Sequence, residues 1–327
     1  MAGIELYAPR TERHRRTWTW AAIVLGFIFI TMGQVLSLFP VFIVAKMAHI
    51  PIDPANLGVS MQAAMTKWPI VAAMLFGFAF TALPIFLWVW LFERRGLRAI
   101  GFNSEWLKRF GRGFLIGLGF LAAVVGLIWA VGGYRVEAAG VWGAPSFAAI
   151  LPIVILLAGF CIQGSTEEIV MRGWIMQLIA SRHGIIWAMV LNAILFSLLH
   201  GMNIKPSPEL ALGLLNIVLV GVFFSLYAIR EQSIWGVCGW HAAWNWLLGL
   251  GFGLEVSGNP IETPPLVVDL TGSAGAPWWL TGGKFGPEGS IAASLVLLLG
   301  IVWLIGKGAL KQGKGYPAPQ KLAEEAF

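Results

Sequence analysis

The sequence predicts an all-α fold, a polytopic integral membrane bundle of about eight transmembrane helices. Three observations carry that prediction. Of 327 residues, 58% are hydrophobic and only 12% are charged, against about 25% in an ordinary soluble domain, and the mean hydropathy is +0.78. Apolar runs long enough to cross a bilayer, about 17–25 residues each, recur along the chain. Basic residues also segregate between successive loops. With the N-terminus inside, 16 of the 22 Lys and Arg fall on the inner side, five fall outside and Arg172 stays in the membrane. This is a positive-inside pattern, so the net charge of +6 sets topology and no nucleic-acid partner is implied.

Residues 1–17 are expected to form a cytoplasmic tail carrying Arg10, Arg13, Arg15 and Arg16. The apolar run at 18–46 is far longer than the roughly 7–15 residues of a signal-peptide core and reads as an uncleaved anchor. Runs at 69–92 and 111–132 complete an N-terminal membrane region, 18–140. Between them, the segment 93–112 is basic and amphipathic, with Leu97, Ile100, Phe102, Trp106 and Phe110 expected at the headgroup boundary. The run at 147–180 is too long for a perpendicular span, so tilt or a projecting end is expected. Runs at 185–201, 210–229 and 234–254 follow, and the core of the chain covers 145–250.

The segment 255–288 is expected to be an external loop rich in Gly and Pro, holding Glu255, Glu262, Asp269 and Glu288. Trp278 and Trp279 would anchor it at the interface. A last span at 289–306 and a cytoplasmic tail at 307–327 return the C-terminus to the side of the N-terminus. Cys161 and Cys238 lie in apolar helices and are expected to pack as small free thiols. No internal repeat of the transporter kind is visible. The expected localisation is an integral protein of a bacterial or archaeal-type cell membrane.

Glu167 and Glu168 stand side by side in the fourth apolar run, with Arg172 one turn on. A charged side chain at mid-bilayer costs roughly 2.5–3.5 kcal/mol on insertion scales, and such residues are functional candidates by default. The i,i+4 spacing pairs Glu168 with Arg172 in the favoured order. Glu167 points about 100° away without a counter-ion, a candidate general base. Residues 181–184 make a tight turn, so the fourth and fifth runs form an antiparallel hairpin. Glu167 and His200 then lie at matching depths, each roughly 21–23 Å from that turn at 1.5 Å per residue. Phe196, one turn before His200, is expected to wall the site. His241 and Asn245 share a face of the seventh helix at i,i+4 and can donate to an oxyanion.

The three motifs Glu-Glu-x-x-x-Arg (167–172), Phe-x-x-x-His (196–200) and His-x-x-x-Asn (241–245) together resemble the CPBP (ABI) intramembrane proteases, the family of CAAX prenyl proteases and bacteriocin-processing enzymes. The resemblance covers residues 145–250 and implies an intramembrane endopeptidase. By it, Glu167 and His200 activate water, His241 and Asn245 form the oxyanion hole, and Glu168 and Arg172 hold the first motif. The implied partners are the lipid bilayer and a peptide or protein substrate at the membrane, lipidated in the CAAX branch. The family has been described both as metal-free and as metal-dependent. A zinc site would need three ligands from Glu167, Glu168, His200 and His241, with Glu167, His200 and His241 the candidate set. Asn245 is a poor zinc ligand and Arg172 repels a cation, so no cofactor is favoured. The alternative classes are a zinc peptidase, a non-catalytic scaffold, and a transporter using the buried cluster as a proton relay.

Overall fold

Each apolar run becomes a helix in the computed structural model, which describes residues 3–311 and 315–317. In chain order the helices are α1 (Thr19–Met47), α2 (Leu57–Ala64), α3 (Trp68–Phe92), α4 (Trp106–Ala130) and α5 (Phe147–His183). They continue with α6 (Ile185–Leu198), α7 (Pro208–Glu231), α8 (Trp235–Trp246), the short α9 (Trp278–Thr281) and α10 (Ile291–Gly306). Helices α1, α3, α4, α5 and α7 are long and apolar enough to cross a membrane, whereas α6 and α10 are apolar but shorter. The all-α membrane bundle is therefore the observed class. Two small antiparallel strand pairs are added to it.

Helix α1 presents Trp20, Phe27 and Phe39 outward, as an element with lipid on most of its surface does. The centre of the bundle is α8. It packs most closely on α4, where glycines remove the side chains that would hold the backbones apart. A Cβ at Gly113 would run into the Gly236 carbonyl, and one at Gly239 into the Phe110 carbonyl. Trp240 then stacks on Trp244 at 4.7 Å within the core.

Three expectations need correction. Residues 3–17 are not a loose tail. Leu6 and Tyr7 are buried, and Glu5 is enclosed by Arg10 at 2.8 Å, Arg95 at 2.9 Å and Gln177 at 2.6 Å. A buried carboxylate with three charged or polar partners is satisfied, and that compensation lets the strap fold inward. The interfacial segment 93–112 is also only partly peripheral. Leu97 and Trp106 are exposed, but Ile100 is buried and the Phe102 ring packs at a tilt against Trp235, 4.4 Å between centroids. The segment 255–288, finally, is more than a plain loop: strand β3 (Val268–Gly272) pairs with β2 (Tyr134–Ala139) and Phe285 is fully buried.

The other strand pair joins β1 (Ile4–Glu5) to β4 (Tyr316–Pro317), so both ends of the described chain lie at one end of the bundle. Most of the expected tail 307–327 lies outside the described residues. Cys161 and Cys238 are free thiols, half-buried and buried.

Candidate active site

Helix α5 stays α-helical through Glu168 and then widens into a π turn over Ile169–Ile175. Such single wide turns are frequent at functional sites, and they free carbonyls that need partners. Those partners come from distant parts of the chain. The Asn192 amide donates to the Met171 carbonyl at 2.7 Å, and the Tyr7 hydroxyl donates to the Arg172 carbonyl at 2.8 Å. The N-terminal strap thus braces the turn that follows the two glutamates.

The glutamates have different surroundings. Arg172, fully buried, pairs with Glu168 at 3.2 Å, and the same Glu168 oxygen accepts from Nδ1 of His241 at 2.9 Å. Spacing alone indicated the first contact and not the second. Glu167 is held at Oε1 by the Gln163 amide, 2.6 Å away. Its Oε2 is buried, makes no hydrogen bond and faces Nε2 of His241 at 3.7 Å. Gly164 makes this approach feasible, since a Cβ there would press on the backbone nitrogen of Ala242 and the ring of His241 at 3.1–3.2 Å.

His200 sits just beyond the end of α6, in a turn rather than inside the helix expected over 185–201. Its Nδ1 lies 2.9 Å from the Phe196 carbonyl. A carbonyl only accepts, so Nδ1 carries the proton and Nε2 keeps its lone pair. His200 and Glu167 line the same cavity without bonding to each other. Phe196 does wall the site, with its ring edge-on to His200 at 4.9 Å. It also lies 4.3 Å from the Arg172 guanidinium, which is itself 5.1 Å from the ring of Phe224. Two aromatic faces thus help to hold a cation that the bilayer would otherwise penalise. Asn245 donates to Gln163 at 3.0 Å, leaving its second amide hydrogen available.

Glu167, His200, His241 and Asn245 therefore line one cavity of about 360 Å³, enclosed by α1, α3, α5, α6, α7, α8 and residues 256–261. Two further polar residues belong to it. Gln163 bridges Glu167 and Asn245, and its place one turn before Glu167 is a signal the sequence carries. Glu288 carries no such signal. It enters from the turn before α10, accepting from the Trp244 indole at 2.9 Å and the Ser257 hydroxyl at 2.8 Å. Burial pushes its carboxyl above the usual carboxylate range, although the bonds from Ser257 and Trp244 act the other way. Among the described residues, no group of three or more His, Cys, Asp and Glu is arranged to hold a metal ion.

Residues 149–247 match the family model described as "Type II CAAX prenyl endopeptidase Rce1-like". The matched stretch contains all three motifs. No curated protein and no solved structure matches the chain.

Proposed function

We propose that this chain, which carries an Rce1-like domain of the CPBP protease kind over residues 149–247, hydrolyses a peptide bond with water activated by Glu167 and His200. The supporting observation is the common cavity. In it, Glu167 offers a carboxylate oxygen with no hydrogen bond of its own, and His200 offers a ring nitrogen with a free lone pair. A water bound between them loses its proton as it attacks the carbonyl. The free amide hydrogen of Asn245 stabilises the oxyanion. His241 assists when both its ring nitrogens are protonated, and Glu168 and Arg172 keep it in place. The reaction proceeds without a metal on this reading, which the dispersed donor set favours.

The substrate is a peptide or protein reached at the membrane. Its approach is from the face opposite the chain termini, because Asn203, Ser257, Asn259 and Glu288 supply the cavity's polar end and all belong to segments at that side of the bundle. Both termini are cytoplasmic by the positive-inside pattern.

The test is peptide cleavage by purified, reconstituted protein, offering prenylated and unlipidated peptides in parallel. Glu167→Ala and His200→Ala should each abolish cleavage while retaining helicity and thermal transition. Activity near wild type in either variant refutes the assignment. Full cleavage after exhaustive chelation is expected; loss that zinc restores would overturn the metal-free mechanism.

A further inference from the structure

A second and larger cavity lies on the opposite side of α8, away from the peptidase site. It is a lateral groove of about 1450 Å³ between α4, α7 and α10. Its floor is open because α4 presents Gly119, Ala123 and Gly126 there, and its walls include Phe223, Leu299 and Trp303. One end alone is charged. Lys108, Arg109, Arg112 and Arg230 meet there with only Glu105 and Glu231, a net excess of cations. Glu105 is engaged by Lys108 at 3.4 Å and Arg109 at 3.5 Å, and Glu231 by Arg112. The side chains of Lys108 and Arg112 nevertheless remain 74% and 51% exposed, with donors left to offer.

We propose that this groove binds an anionic phospholipid, its phosphate held by Lys108, Arg112 and Arg230 and an acyl chain laid along the small residues of α4. The dimensions fit. From Lys108 to Leu127 the groove follows α4 for roughly 28 Å, and one acyl chain needs about half of the ~30 Å hydrocarbon core. The polarity fits as well, since the cations cluster where a headgroup sits and the remainder is apolar. The groove also has a route to the peptidase cavity. Phe120 and Phe223 in its wall rest on Trp240, with ring centroids 5.8 and 5.7 Å apart, and Trp240 lines the cavity on its other side. Lipid binding here does not depend on the peptidase reading.

The experiment is native mass spectrometry of the delipidated full-length protein titrated with phosphatidylglycerol or phosphatidylcholine of identical acyl chains. Phosphatidylglycerol should be retained preferentially. A Lys108→Gln/Arg230→Gln variant should lower that preference about fivefold per cation removed. Gly119→Leu should weaken both lipids. A side chain at Gly119 meets nothing within 4 Å, so this variant fills the groove without disturbing the backbone, and unchanged circular dichroism should show that. Equal retention of the two lipids, or undiminished binding by Gly119→Leu, overturns the proposal. So does displacement of phosphatidylglycerol by equimolar glycerol phosphate, since the cations alone would then account for binding.

Discussion

Glu167 and Glu168 are adjacent in sequence and each has one oxygen without a hydrogen bond, yet only Glu167 lines the cavity. Glu168 accepts from Arg172 and His241, while Glu167 keeps one oxygen for the cavity. This asymmetry makes residue-level outcomes specific. Asn245→Ala should lower turnover by about 10²–10³ if it donates to the oxyanion, read as kcat under saturating peptide; an unchanged kcat removes that role. Gln163→Leu strips a partner from both Glu167 and Asn245. Leaving buried polar groups unpaired costs about 1–3 kcal/mol, so stability by denaturation and kcat should fall together. Glu288→Ala should likewise lower stability by about 1–3 kcal/mol through the orphaned Trp244 indole, an effect that Trp244→Phe in the same background should partly relieve. The pairing of Glu168 with Arg172 was legible because i,i+4 spacing is a local rule. Its bond to His241 was not, since it joins helices 73 residues apart.

Two contacts between elements decide whether the site is assembled. The first is α4 against α8, where Gly113 and Gly239 permit backbone contact. Gly239→Leu should force the helices apart and abolish both the cooperative thermal transition and cleavage. Retention of both would mean that the contact is dispensable. The second is the N-terminal strap beneath the π turn of α5. Tyr7→Phe deletes one buried hydrogen bond to Arg172 and should cost about 1 kcal/mol, measured as a shift in the unfolding midpoint with cleavage retained. The helices themselves could be read from apolar run length, a property each segment carries alone. The strap could not, because four arginines within residues 10–16 look like a topology signal until Arg10 is seen paired with buried Glu5.

For the whole molecule, the arrangement of ends matters most. The paired strands β1 and β4 put both described ends of the chain at one end of the bundle, and the polar end of the cavity lies at the other. A cysteine introduced at Asn259 should therefore react with a membrane-impermeant maleimide added outside intact cells, and pre-incubation with a cleavable peptide should slow that reaction. Labelling only after the membrane is opened would reverse the orientation. The groove between α4, α7 and α10 belongs to this scale too, since it exists only where three helices meet.

The sequence by itself determined the membrane class, the helices and the three motifs. Each of these rests on hydropathy, charge balance or spacing within a single segment, where physics acts over a few residues. Only the tertiary structure decided that His241 joins Glu168, which loop glutamate enters the cavity and what the N-terminal strap holds in place. Those outcomes depend on contacts between segments that are up to 172 residues apart, and such contacts arise only when the helices have packed.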